Sequence, residues 1–238
     1  MIDDAEAARE LVSRWFAPWA SEYGFTILEM IDLGRVWRVL VEVGPSQRTI
    51  IDGVASPPYG SPGRWAVRVD KATGEVVNER AAPLKIGPSA QDGFRALMTN
   101  TVAPRLRDLG FVRSGRVFTW PHPDYLAGMS IQTSRTSEYC VQTFTANLTV
   151  ISRAVWAARP HAGDPGERFH PDYLYGGSWH HRLGHLSRHR RDHWWEVWAG
   201  FSTVDTAADF LDAVTNHALP AMLEHIATSP EHDAGSSR

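Results

Sequence analysis

Cys140 is the only cysteine in this 238-residue chain. An intramolecular disulfide and a thiolate-rich metal site are therefore excluded, and a reducing compartment, the cytoplasm, is the expected location. Long apolar runs are missing too. No stretch approaches the ~18 residues that a membrane span requires, and Asp3, Asp4 and Glu6 stand where a secretory signal would carry positive charge. Neither export nor a membrane partner is expected. The net charge of −3 is small for this length, so the global field neither recruits nucleic acid nor strongly repels it, and local patches must decide the partners. Gly-rich phosphate loops, serine elbows, kinase motifs and dinucleotide fingerprints do not occur. On these grounds no catalytic residue, cofactor or metal ion is assigned, although an enzyme without a known motif stays open.

What is present suits two ordinary cores. Apolar residues at 43% and charged residues at 21% are globular values, and the length accommodates two domains of the usual size, ~100 to 150 residues each. Ala8, Leu11, Val12, Trp15 and Trp19 recur at helical spacing behind an acidic first turn, predicting a helix over 5–20. Runs rich in β-branched and aromatic residues at 25–30 and 36–43 predict strands, and 65–70 with 75–77 predict a hairpin beyond a Pro- and Gly-rich loop at 56–63. The aperiodic stretch around Pro83 and Pro88 marks a linker at 83–91.

Beyond it, Phe94 to Leu109 repeat as a helix that Pro104 should kink, with Gly110 placed as its C-cap. Strands are predicted at 117–120, 129–133, 139–150 and 194–201, a long exposed loop at 157–178, and a closing helix at 207–226 interrupted at Pro220. The expected architecture is α+β: two tandem domains (1–82 and 92–228), each a helix packed on an antiparallel meander, the second closed by a C-terminal helix, with a frayed tail at 229–238.

Two stretches resemble known families. "LRDLGFVRSGRVFTW" within 94–120, "FTANLTV" at 144–150, "RLGHL" at 182–186, "HWWEVW" at 193–198 and "ALPAML" at 218–223 resemble, in order as well as content, the family called domain of unknown function 4304. The histidine density between Trp179 and His193 departs from that pattern. The first domain is similar to the immunity protein 35 family through its helix, its meander and "WAVRVDKATGEVV" at 65–77. The first resemblance implies no activity. The second implies neutralisation of a bacterial toxin by tight binding.

Ten of the eleven histidines lie beyond residue 160. His181, His185, His189 and His193 recur every four residues, a spacing that on a helix makes one stripe able to reach a zinc ion. No HExxH glutamate accompanies them, Gly184 weakens a helix there, and Arg182, Arg188, Arg190 and Arg191 would repel a cation. A contact segment is therefore preferred to a metal-dependent hydrolase or nuclease. Those four arginines against Asp192 alone leave a local excess of +3. Arg182, His185, Arg188, His189, Arg190 and Arg191 are the candidate partner-binding residues, facing an acidic protein surface in preference to nucleic acid because the chain as a whole is not basic. Trp195 is assigned to the core, Cys140 to a buried inert thiol, and Asp205, Asp209 and Asp212 to dipole and capping roles at the last helix.

Overall fold

The computed structural model describes residues 2–43, 63–79, 87–135, 137–159 and 168–229, apart from the side chains at 19–23 and 63. The loop expected at 56–63, except Gly63, which begins a strand, the first part of the linker and the tail beyond Ser229 lie outside the described residues, as does the side chain of Trp19. The chain is α+β and divides into two compact units. The first takes Met1–Ser89 together with Glu138–Cys140 and Trp198–Phe201, and the second takes the remainder.

In the first unit, α1 (Ala5–Tyr23) precedes an antiparallel meander of β1 (Phe25–Asp32), β2 (Val36–Val43), β3 (Gly63–Asp70) and β4 (Val76–Asn78). Val12 and Phe16 of the helix pack on Val39, Val41, Val67 and Val69, because residues two apart on a strand share a face. Asp70 accepts from the amides of Ala72 and Thr73, both at 2.9 Å, closing the hairpin turn. Arg38 is buried among the apolar residues and donates to the Glu79 carboxylate, 2.8 Å from its Nε, and to the Ala199 carbonyl. A buried guanidinium is tolerated only where such acceptors meet it.

The second unit begins with a continuous helical run, α2 (Ala90–Leu97), a π-helical turn (Met98–Val102) and α3 (Ala103–Asp108). There follow β5 (Val112–Ser114), β6 (Val117–Trp120), β7 (Tyr125–Thr133), β8 (Val141–Ser152), α4 (Arg153–Ala157), β9 (Trp179–Arg182), α5 (Leu183–Leu186) and β10 (Trp195–Trp198). It closes with α6 (Val204–Asp212), a second π-helical turn (Ala213–Ala218) and α7 (Leu219–Thr228). The strands run β10-β8-β7-β6-β5, with β9 also paired to β8. Gly110 takes φ 95° and its amide bonds the Arg107 carbonyl, ending α3 as expected of a C-cap glycine.

Both prolines in the long helical runs of the second unit are reached through a π-helical turn. Pro104 and Pro220 each occupy the first helical turn after one. A proline ring collides with the carbonyl four residues back, and widening the preceding turn to i→i+5 spacing relieves that collision.

Phe144 on β8 marks the centre of the core. Its ring lies 5.1 Å from Phe94, 5.4 Å from Phe210 and 6.2 Å from Trp195. The opposite face of β8 carries Thr145, Asn147 and Thr149, a polar set that ordinarily meets water, yet all three are buried. Thr145 donates to the His193 carbonyl (3.0 Å), Asn147 to Asp172 (2.8 Å) and Thr149 to the Pro171 carbonyl (2.9 Å). The described part of the expected exposed loop at 157–178 is therefore a strap lying along the sheet, also bound by Ser130 to Asp172. Within it only Tyr173 and Leu174 remain as exposed large apolar side chains.

Candidate functional site

The histidine stripe does not form. Residues 179–182 are strand, 183–186 make one helical turn and 187–193 are loop, so the four-residue spacing has no helix to act on. Pairing with β8 is the reason: Arg182, His181, His180 and Trp179 stand opposite Asn147, Leu148, Thr149 and Val150. His181 packs on Trp179 at 4.5 Å, whose other neighbour is His225 at 5.8 Å. Burial is the first cause that lowers the pKa of both histidines.

His189 and His193 do converge, on a carboxylate assigned above to helix capping. Asp209 lies one residue from the buried Phe210 on α6, with its side chain 16% exposed. His189 Nε2 donates to Asp209 Oδ2 at 2.8 Å, and Trp195 Nε1 donates to the same oxygen at 2.8 Å. Arg188 Nη2 stands 2.6 Å from Oδ1 as an ion pair. The imidazoles of His189 and His193 stack at 3.6 Å, almost parallel at 7°. Burial, then the adjacent His189, push the His193 pKa down to about 4, so His193 is neutral at pH 7. Burial opposes ionisation of Asp209, but its hydrogen bond from His189 and the neighbouring cations outweigh that and hold its pKa below the usual carboxylate value. This role corrects the capping assignment for Asp209.

The backbone is braced as tightly as the side chains. A Cβ on Gly184 would meet His193 N at 2.4 Å and the Arg191 carbonyl at 2.5 Å, so the return of the loop passes directly over a position only glycine can fill. Arg191 N bonds the Gly184 carbonyl and Arg190 N the Ser187 carbonyl. Arg190 has φ 52°, the only positive value outside glycine among the described residues. A left-handed arginine costs on the order of 1 kcal/mol and persists only where its surroundings hold it.

The six candidate residues divide. Arg182 turns inward: its Nη1 bonds both oxygens of Asp192 at 2.9 Å, its Nη2 reaches Gln132 at 3.2 Å, and its guanidinium covers the Trp194 ring at 5.3 Å. His189 is spent on Asp209, and Arg188 is shared between Asp209 and solvent. His185, Arg190 and Arg191 face solvent. Trp195 is core, as expected, and Cys140 is fully buried with burial pushing its thiol up to about 11.

Comparison with known families decides the membership. A family described as a domain of unknown function, DUF4304, matches residues 102–224, just over half the chain. The chain belongs to the DUF4304 family. The match covers β5 to β10, α6 and most of α7, and with them the braced loop and its carboxylate. It leaves most of the first unit outside. No curated protein and no solved structure matches. No helix among the described residues of this DUF4304 protein is long and apolar enough to cross a membrane.

Proposed function

We propose that this chain acts by binding, through the cationic loop at 185–191, a protein partner whose surface is acidic. One observation carries the reading. Within the loop His189 and Arg188 are anchored to Asp209 on α6, and the exposed side chains of His185, Arg190 and Arg191 stand on a backbone held in place by Gly184 and Ser187. A rigid cationic projection loses little entropy when it docks, and arginine meets carboxylates with two parallel hydrogen bonds. Nucleic acid is the lesser alternative because the chain as a whole is not basic. The likeness of 65–77 to the immunity protein 35 family makes antagonism of a bacterial toxin, in the cytoplasm, the leading specific role.

Antagonism predicts a toxin gene beside this one, lethal when expressed alone and tolerated when this chain is co-expressed. A neighbouring toxin that stays fully active on co-expression ends the antagonist role. The competing reading is a metal-dependent hydrolase or nuclease, now resting on His189, His193 and Asp209, whose ligand atoms all lie within 4.8 Å of one another. Elemental analysis of protein purified without a histidine tag separates the two. A stoichiometric transition metal favours the hydrolase, and its absence removes it.

A further inference from the structure

A second concentration of arginine occurs in the second unit, in residues that the loop does not use. Arg95 on α2, Arg113 and Arg116 flanking the β5–β6 turn, and Arg135 just past β7 line one cleft of about 450 Å³. Among the described residues no acidic side chain lines it. Asp92 pairs with Arg95 at 2.8 Å, but among the described residues Arg113 Nε bonds the Gly115 carbonyl (2.9 Å) and Arg116 Nη1 the Thr133 hydroxyl (3.0 Å), both neutral acceptors. Arg135 has no ion pair among the described residues. Three arginines thus line one cleft with no ion pair among the described residues, an arrangement of like charges that an entering anion would relieve.

We propose that this cleft binds a small organic phosphate carrying two or three negative charges. Three facts favour phosphate over a carboxylate. Three uncompensated guanidinium groups match the charge of a phosphomonoester or diphosphate. Hydroxyls of Thr99, Thr133 and Ser137 at the same cleft offer further donors from several directions, as a tetrahedral oxyanion requires. The buried side chains of Phe94, Met98 and Ile131 form an apolar floor, and the volume is that of a pocket for a nucleotide-sized molecule. The proposal does not depend on the loop at 185–191 having a protein partner.

Calorimetric titration of the full chain at 50 mM salt tests it with pyrophosphate, ADP, adenosine, citrate and a 20-nucleotide single strand. ADP and pyrophosphate are expected to bind, adenosine not to bind, and citrate to bind at least tenfold more weakly than ADP. R135A and R113A should each weaken ADP tenfold or more with an unchanged melting temperature, and R116K should weaken it less than R116A. ADP and pyrophosphate both failing to bind at millimolar concentration overturns the proposal. Citrate equal to ADP overturns the assignment to phosphate. A single strand that binds more tightly than ADP, with R113A and R135A both weakening it, makes the cleft a nucleic-acid site and overturns the small-molecule assignment.

Discussion

Replacing Asp209 with asparagine keeps the shape and removes the charge on which the loop is braced. The carboxylate accepts from His189 and Trp195 on one oxygen and pairs with Arg188 on the other. An amide can keep its single oxygen toward His189 and Trp195, which turns two charge-assisted hydrogen bonds into neutral ones at a cost of about 1 kcal/mol each. The amide nitrogen then faces Arg188, whose side chain is 65% exposed and can move to water, so that ion pair adds at most about 0.5 kcal/mol. The expected loss is about 2–3 kcal/mol. At ~2–4 °C per kcal/mol for a chain of this size, the melting temperature should fall by roughly 4–12 °C. Urea unfolding is the assay: the midpoint should drop while the slope stays the same. EDTA should leave the wild-type midpoint where it is, because the brace needs no ion. A change below about 0.5 kcal/mol in D209N, or a wild-type midpoint that falls in EDTA, refutes the brace.

Gly184→Ala should be among the most destabilising single methyl additions in the second unit, by at least ~2 kcal/mol in urea unfolding, because its new carbon meets backbone atoms at 2.4 and 2.5 Å. Acid should weaken the fold. His193 titrates near 4 when folded and near 6.5 when unfolded, so the unfolded chain gains the proton first. Its contribution is complete above pH 6.5 and is lost as pH falls toward 4, with His180, His181 and His225 shifted in the same direction. A melting temperature that stays flat from pH 7 to 5 contradicts this. Cys140, fully buried with its thiol pushed up to about 11, should resist a thiol reagent at pH 8 until urea unfolds the chain; rapid labelling of native protein would show that its burial is transient.

Elements with a clear period were legible in the sequence. The alternation through Phe144, Ala146, Leu148 and Val150 marked β8, and the helical spacing of Phe94, Leu97, Val102 and Leu106 marked the run that packs on it. The three residues of β5 carry too little pattern to announce a strand, and all three are exposed. The histidine spacing misled because period four implies one face only on a helix, whereas β8 recruits residues 179–182 as a strand. Asp209 carried one signal in the sequence: it sits between the apolar Ala207 and Phe210, where a carboxylate has to find partners. Those partners lie 14 to 21 positions away in sequence, at 188, 189 and 195, and only the fold brings them in. The arginine cleft was hidden for the same reason, its residues coming from a helix, a hairpin turn and the end of a strand.

The central claim is that a rigid cationic loop makes the functional contact. Its most direct test is calorimetric titration of the toxin that the proposed antagonism predicts, once found, with the wild type and with R190E/R191E, two substitutions on exposed positions. The account predicts binding by the wild type and a loss of at least a hundredfold in the doubly reversed variant, at an unchanged melting temperature. Equal affinity for both chains would place the contact elsewhere and contradict it.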